Sequence, residues 1–181
     1  MSLFRSLTRS SLAVLALIFG ARNADAMPRI GEVAPGFSLP SQEGTPVALT
    51  DYRDQWVVLY FYPKDFTSGC TLQGRNFQRD SAQYAERNAV VIGVSVDDVD
   101  THADFCAKEG LSFKLLADTD ARVSTTYGSV MNLGVKKLSA RNTFLIDPDG
   151  KIAATWKKVD VSGHSAEVLK ALDKAQDRRR L

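Results

Sequence analysis

Two short apolar runs stand out along the chain: residues 57–62, Val-Val-Leu-Tyr-Phe-Tyr, and residues 90–96, Val-Val-Ile-Gly-Val-Ser-Val. Runs of this length, rich in β-branched and aromatic residues, read as strands buried on both faces, as in a parallel sheet. Between them residues 71–88 are mostly polar, with Leu72, Phe77, Tyr84 and Ala85 compatible with one face of a helix. Residues 101–109 predict a short helix, with Asp98 or Asp100 near its cap and Gly110 just past its end. A strand over 113–116, a short helix over 121–127 and a loop over 132–140 follow. Strands over 143–146 and 152–156 then pair across the tight turn 147–150. An amphipathic helix over 166–178 closes the chain, and a Gly- and Pro-punctuated hairpin over 29–52 precedes the first strand. Trp56 and Trp156 are expected in or beside the core, and His102 and His164 on the surface. This order favours an α/β fold, a mixed central β-sheet flanked by helices, parallel at first and antiparallel at one edge.

Composition narrows the picture at the N-terminus. Arg5 and Arg9 begin a segment whose apolar middle spans residues 12–19 and which ends in Ala24-Asp25-Ala26, a small-x-small cleavage pattern. Residues 1–26 therefore read as a secretory signal peptide and 27–181 as the folded domain. That implies a periplasmic or otherwise exported protein, or a cytoplasmic one if translation starts at Met27. The apolar segment is too short to span a bilayer, which needs roughly 20 residues, so no membrane association is expected after cleavage. The formal net charge of +2 disappears with the segment, because Arg5, Arg9 and Arg22 leave together with Asp25. A neutral mature chain gives no reason to expect a nucleic-acid partner.

Candidate chemistry centres on the end of the first strand. The run stops at Pro63, which cannot donate to a sheet ladder, and a polar loop delivers Cys70 to the start of a helix. Unpaired N–H groups at a helix start stabilise a negative sulfur, as they do any anion. In Pro63-Lys-Asp-Phe-Thr67-Ser-Gly-Cys70, Thr67 and loop N–H groups can hold a peroxide and Pro63 can shield the site. The missing cation has a candidate in Arg141, just before the strand over 143–146; a plain surface charge is the competing reading. The second cysteine, Cys106, reads either as a small buried apolar residue or as half of a redox pair or structural disulfide. Neither histidine has metal-ligand spacing from a cysteine, so no metal site is expected.

These residues closely resemble the peroxiredoxins, and within them the bacterioferritin comigratory protein or peroxiredoxin Q group. The resemblance covers residues 30–172. It is carried by Ala34-Pro35-x-Phe37-x-Leu39, by Phe61-Tyr62-Pro63-Lys64-Asp65-Phe66-Thr67-x-Gly69-Cys70-Thr71, and by Arg141-x-Thr143-Phe144-Leu145-Ile146-Asp147-x-x-Gly150. It implies a thioredoxin-like fold and a thiol peroxidase without cofactor, with Cys70 as peroxidatic cysteine, Thr67 and Arg141 as its activating partners and Pro63 as shield. Peroxide would be the substrate, a thioredoxin-like dithiol protein the reductant, and the protein a monomer.

Three departures matter. Ser68 replaces a usual proline, Gln73 replaces a frequent glutamate and is expected to weaken an anchor for the active-site arginines, and Arg75 stands five after Cys70, where many members of the group carry a resolving cysteine. The resemblance leaves Cys106 for that role, since some members resolve from the next helix. A disulfide needs Cα atoms within roughly 7 Å, so one or both helix segments are expected to rearrange on oxidation. Two other readings stay open: a one-cysteine peroxidase with Cys106 as bystander, and a non-enzymatic thioredoxin-like binding or holdase module with a structural disulfide.

Overall fold

In the computed structural model, which describes residues 26–180, both apolar runs are central strands. The elements in order are β1 (Ser38–Pro40), β2 (Pro46–Ala48), a 3-10 turn (Leu49–Tyr52), β3 (Trp56–Phe61), α1 (Ser68–Arg79), α2 (Ser81–Glu86), β4 (Ala89–Ser95), α3 (Val99–Glu109), β5 (Lys114–Ala117), α4 (Arg122–Thr126), β6 (Val130–Leu133), β7 (Lys136–Ser139), β8 (Thr143–Ile146), β9 (Ile152–Trp156) and α5 (His164–Arg180). The main sheet has the order β5-β4-β3-β8-β9. β3, β4 and β5 run parallel, and β8 joins β3 antiparallel with β9 beyond it. This is the predicted mixed sheet.

Successive residues of β3 point to opposite faces, so one strand feeds two cores. Val58 and Tyr60 pack with Phe77, Tyr84, Phe105, Leu145 and Leu172 beneath the helical layer. Val57, Leu59 and Phe61 pack with Phe37, Val47, Tyr127 and Phe144 on the other side. The N-terminal hairpin of β1 and β2 contributes only to the second core. Helix signals read locally hold: Asp98 accepts from the backbone N–H of Thr101 at 2.9 Å, and Gly110 ends α3 with φ +65°.

Four expectations need correction. Residues 71–88 do not form one helix: the chain breaks at Asp80, whose backbone leaves helical geometry (φ −94°, ψ 8°) while its carboxylate grips Arg79. Leu72, on α1 itself, and Ala85 beyond the break are both exposed and share no buried stripe with Phe77 and Tyr84. The segment 132–140 is largely a β-hairpin, β6 with β7, turning at Gly134 with φ +69°. Of its strand residues only Ser139 is buried, so the backbone pairs without the apolar alternation that announces a strand. Neither histidine lies on the surface. His102 is wholly buried, facing Asp65, and His164 is buried with its Nε2 2.9 Å from Thr143 Oγ1. Burial lowers the pKa of His164 to about 4, so it is neutral at pH 7. The proposed signal segment, apart from Ala26, lies outside the described residues.

Candidate active site

Pro63 ends the strand as expected. Residues 62–67 turn, Thr67 takes extended dihedrals (φ −81°, ψ 146°), and α1 begins at Ser68 with the N–H of Thr71 bonded to the Thr67 carbonyl at 2.9 Å. Cys70 thus sits in the first turn of α1, with 2% of its surface exposed. The Thr67 hydroxyl donates to the Lys64 carbonyl at 2.9 Å. Its proton is therefore committed within the loop, and its lone pairs are the capacity left for a reactant.

The cation arrives from the other side of β3. Arg141 immediately precedes the β8 ladder, which is extended by the Phe61 N–H donating to the Asn142 carbonyl at 2.8 Å. The Val159 N–H binds the Arg141 carbonyl at 3.1 Å, and the Asn142 amide donates to Ser129 Oγ at 3.0 Å. With its backbone held this way, Arg141 directs Nη2 to Cys70 Sγ at 3.2 Å and Nη1 to Gln73 Oε1 at 2.6 Å. A full positive charge thereby faces the sulfur. Gly69 makes room for it, since a Cβ there would lie 3.3 Å from Arg141 Nη2. Gln73 keeps the arginine anchored although it is uncharged, but its own buried Nε2 finds no partner among the described residues. Arg141 and half-buried Pro63 share the wall of a cleft of about 960 Å³ whose other sides include Val130, Met131 and Lys157.

Cys106 occupies a different environment. It lies in the last turns of α3, 7% exposed, as a free thiol in the same helical-side core as Cys70. Burial pushes its pKa up to about 11, Asp65 and Glu43 adding to the effect and Lys114 opposing it. The five predicted residues therefore divide: Arg141 meets Cys70, Pro63 shares a cleft with Arg141, Thr67 ends the loop just before the Cys70 helix, and Cys106 stays on the neighbouring helix as an unpaired thiol. Arg75, one turn beyond Cys70, forms a 2.6 Å ion pair with Glu109 at the end of α3. The resemblance pointed to position 73 as an arginine anchor, and Gln73 Oε1 fills that place; sequence reasoning missed Gly69 as the platform under Arg141. The i, i+3 spacing of Cys70 and Gln73 on one helix face was the available signal for the anchor.

Residues 30–155 match the AhpC/TSA family. Peroxiredoxin Bcp of Bacillus subtilis (strain 168) is 40% identical over 147 residues, covering 79% of this chain and 94% of its own length. Peroxiredoxin Bcp of Xanthomonas campestris pv. campestris is 38% identical over 145 residues, covering 77% of this chain and 91% of its own. Among crystal structures, a cysteine-to-serine mutant of PrxQ from Xylella fastidiosa superposes with a TM-score of 0.78 at 36% identity, covering 83% of this chain and 99% of that one. The fold is accordingly the thioredoxin-like one of these neighbours. Since the matched span includes all of Pro63, Thr67, Cys70, Cys106 and Arg141, this chain belongs to the AhpC/TSA family, among the peroxiredoxins of the Bcp and PrxQ type.

Proposed function

We propose that the protein reduces hydrogen peroxide and organic hydroperoxides through Cys70. The observation that carries this is the 3.2 Å hydrogen bond from Arg141 Nη2 to Cys70 Sγ. A guanidinium in that place holds a negative sulfur in line for attack and can receive charge that develops on the peroxide oxygens. The Cys70 thiolate takes the near oxygen with its hydrogen, the O–O bond breaks, and the far oxygen leaves as alcohol or water after taking up the proton that the Cys70 thiol gave up to the solvent on ionising. Cys70 is then a sulfenic acid. Thr67 Oγ1 can accept the peroxide hydrogen, and Pro63 limits water on the cleft side.

Cys106 is the resolving thiol in this reading. Its sulfur joins the Cys70 sulfur as the sulfenic hydroxyl leaves as water, and a thioredoxin-like dithiol protein then reduces the disulfide, becoming oxidised itself. Support comes from two cysteine-to-serine mutants of peroxiredoxin Q from Xanthomonas campestris, whose substituted positions are 36 residues apart, the same separation as Cys70 and Cys106. Both thiols belong to one chain, so the cycle needs no second copy, in keeping with a monomer. Residues 1–26 act as a secretory signal on this proposal, with 27–181 exported as one domain; the support is the basic, apolar and small-residue pattern of that segment.

The test is peroxide consumption by the reduced protein with a dithiol donor. Activity should vanish in Cys70→Ser, and full activity there would end the proposal. The burial of Cys106 favours a second reading, in which it is a bystander. Cys106→Ser would then turn over undiminished with a small-thiol reductant, and peroxide would produce no intramolecular disulfide in the unmodified protein.

A further inference from the structure

The loop that carries Cys70 is fastened to α3 by side chains that the peroxide reaction does not use. Asp65 receives the Tyr62 hydroxyl on Oδ1 at 2.7 Å and faces His102 Nδ1 with Oδ2 at 2.7 Å. Its backbone N–H donates to Asp97 Oδ2 at 2.9 Å, and that oxygen also receives the Ser95 hydroxyl at 2.7 Å. Tyr62, Asp65 and His102 are all buried. Beside them Phe66, held at φ +60°, sets its ring edge-on to Phe105 at 5.1 Å, and Lys108 Nζ lies 5.4 Å from the same ring's centre. His102, Phe105 and Lys108 belong to α3, and His102 lies one turn before Cys106.

One atom in this cluster is left over. His102 Nδ1 is taken up by Asp65, and the other ring nitrogen, Nε2, is buried with no partner among the described residues. A buried polar atom without a partner opposes the closed arrangement, because opening would let water reach it. The cluster therefore combines a short, unscreened polar tie with a built-in reason to release.

We propose that Asp65 and His102 are positioning residues that clasp the Cys70 loop to α3, and that opening this clasp sets the rate at which the Cys70 sulfenic acid and Cys106 join. The proposal rests on Cys106 being the resolving thiol. While the clasp is shut, Cys70 faces Arg141 and Cys106 stays a separate buried thiol. Joining them brings their Cα atoms within roughly 7 Å, which moves the loop and the start of α1 relative to α3. The Asp65–His102 tie spans the two parts that must shift against each other. Arg75 and Glu109 span them as well, but Arg75 is 63% exposed and such a pair holds weakly. A slow clasp leaves the sulfenic acid waiting, and a second peroxide then converts it to sulfinic acid.

The test mixes reduced protein with one equivalent of hydrogen peroxide, quenches with an alkylating reagent at intervals and counts sulfenic, disulfide and sulfinic forms by mass spectrometry. In His102→Leu and Asp65→Asn the disulfide should form about tenfold faster, the scale of one charge-assisted hydrogen bond. The first oxidation should change by less than about threefold, and excess peroxide should leave a smaller sulfinic share. Asp65→Asn keeps the shape of the side chain and carries the measurement if His102→Leu does not fold. Ile152→Ala, on the opposite face of the sheet, loosens the protein without touching the clasp and should leave the disulfide rate unchanged. An equal acceleration in Ile152→Ala, or no acceleration in the clasp variants, overturns the clasp alone. If the unmodified protein forms no intramolecular disulfide, the Cys106 assignment falls and the clasp with it.

Discussion

Cys70 and Cys106 are both buried thiols at the edge of one core, yet the chain surrounds them with opposite chemistry. Cys70 opens a helix and meets the Arg141 guanidinium at 3.2 Å. Cys106 sits near the end of a helix, where burial first and the carboxylates of Asp65 and Glu43 second push its pKa up to about 11. A guanidinium faces one sulfur, and burial keeps the other protonated. On the proposed cycle this difference would separate the two steps in time: the first thiol would react in place, and the second would become a competent nucleophile when its surroundings change.

The comparison breaks most severely if Cys70 loses its cation. Arg141→Met should slow the oxidation of Cys70 by about 10² to 10³, the cost of one preorganised donor at a developing charge. Stopped-flow measurement of the second-order rate with hydrogen peroxide checks this, and a loss under threefold would show that the helix start alone activates the sulfur.

The Cys106 side is sharpened by its pH dependence. Its folded pKa lies above that of an unfolded cysteine, about 8.5. The folded state therefore favours the neutral thiol. That contribution to stability is fully present below pH ~8.5 and is lost as pH rises towards 11. Reduced Cys70→Ser protein should lose on the order of 1–2 kcal/mol over this range relative to the same protein also carrying Cys106→Ser. Urea unfolding at several pH values measures it, and parallel curves for the two proteins would contradict the buried, carboxylate-facing environment.

The smallest effect is expected at Gln73. Gln73→Glu replaces the unpartnered Nε2 by an oxygen and makes the Arg141 anchor ionic. Stability should rise by about 1 kcal/mol, while the peroxide rate should stay within about threefold, because Nη2 remains free to face the sulfur. A large rate loss would mean that the anchor and the sulfur compete for the guanidinium's charge.

Legibility along the chain followed distance. The reactive loop could be read because strand end, proline, turn and helix start occupy contiguous residues. Arg141 could be offered from the residues only as one of two readings, and the family resemblance raised it, since 71 positions separate it from Cys70. His102 was misplaced on the surface because it lies in a largely polar helix, and Asp65, which takes it inside, stands 37 positions earlier. The hairpin of β6 and β7 was passed over because its strands bury almost nothing, and burial is what writes a period of two into a sequence.

The sequence by itself determined the central strands, the capped start and glycine end of α3, and a cysteine at a helix start, all consequences of dihedral preference and periodic burial among near neighbours. Tertiary structure alone decided which charge meets which sulfur. The antiparallel register that sets Tyr60 opposite Thr143 brings Arg141 over Gly69, and the packing of α3 beside the loop closes Asp65 on His102. Those partners are remote in sequence, and they meet only because the sheet between them fixes the distance.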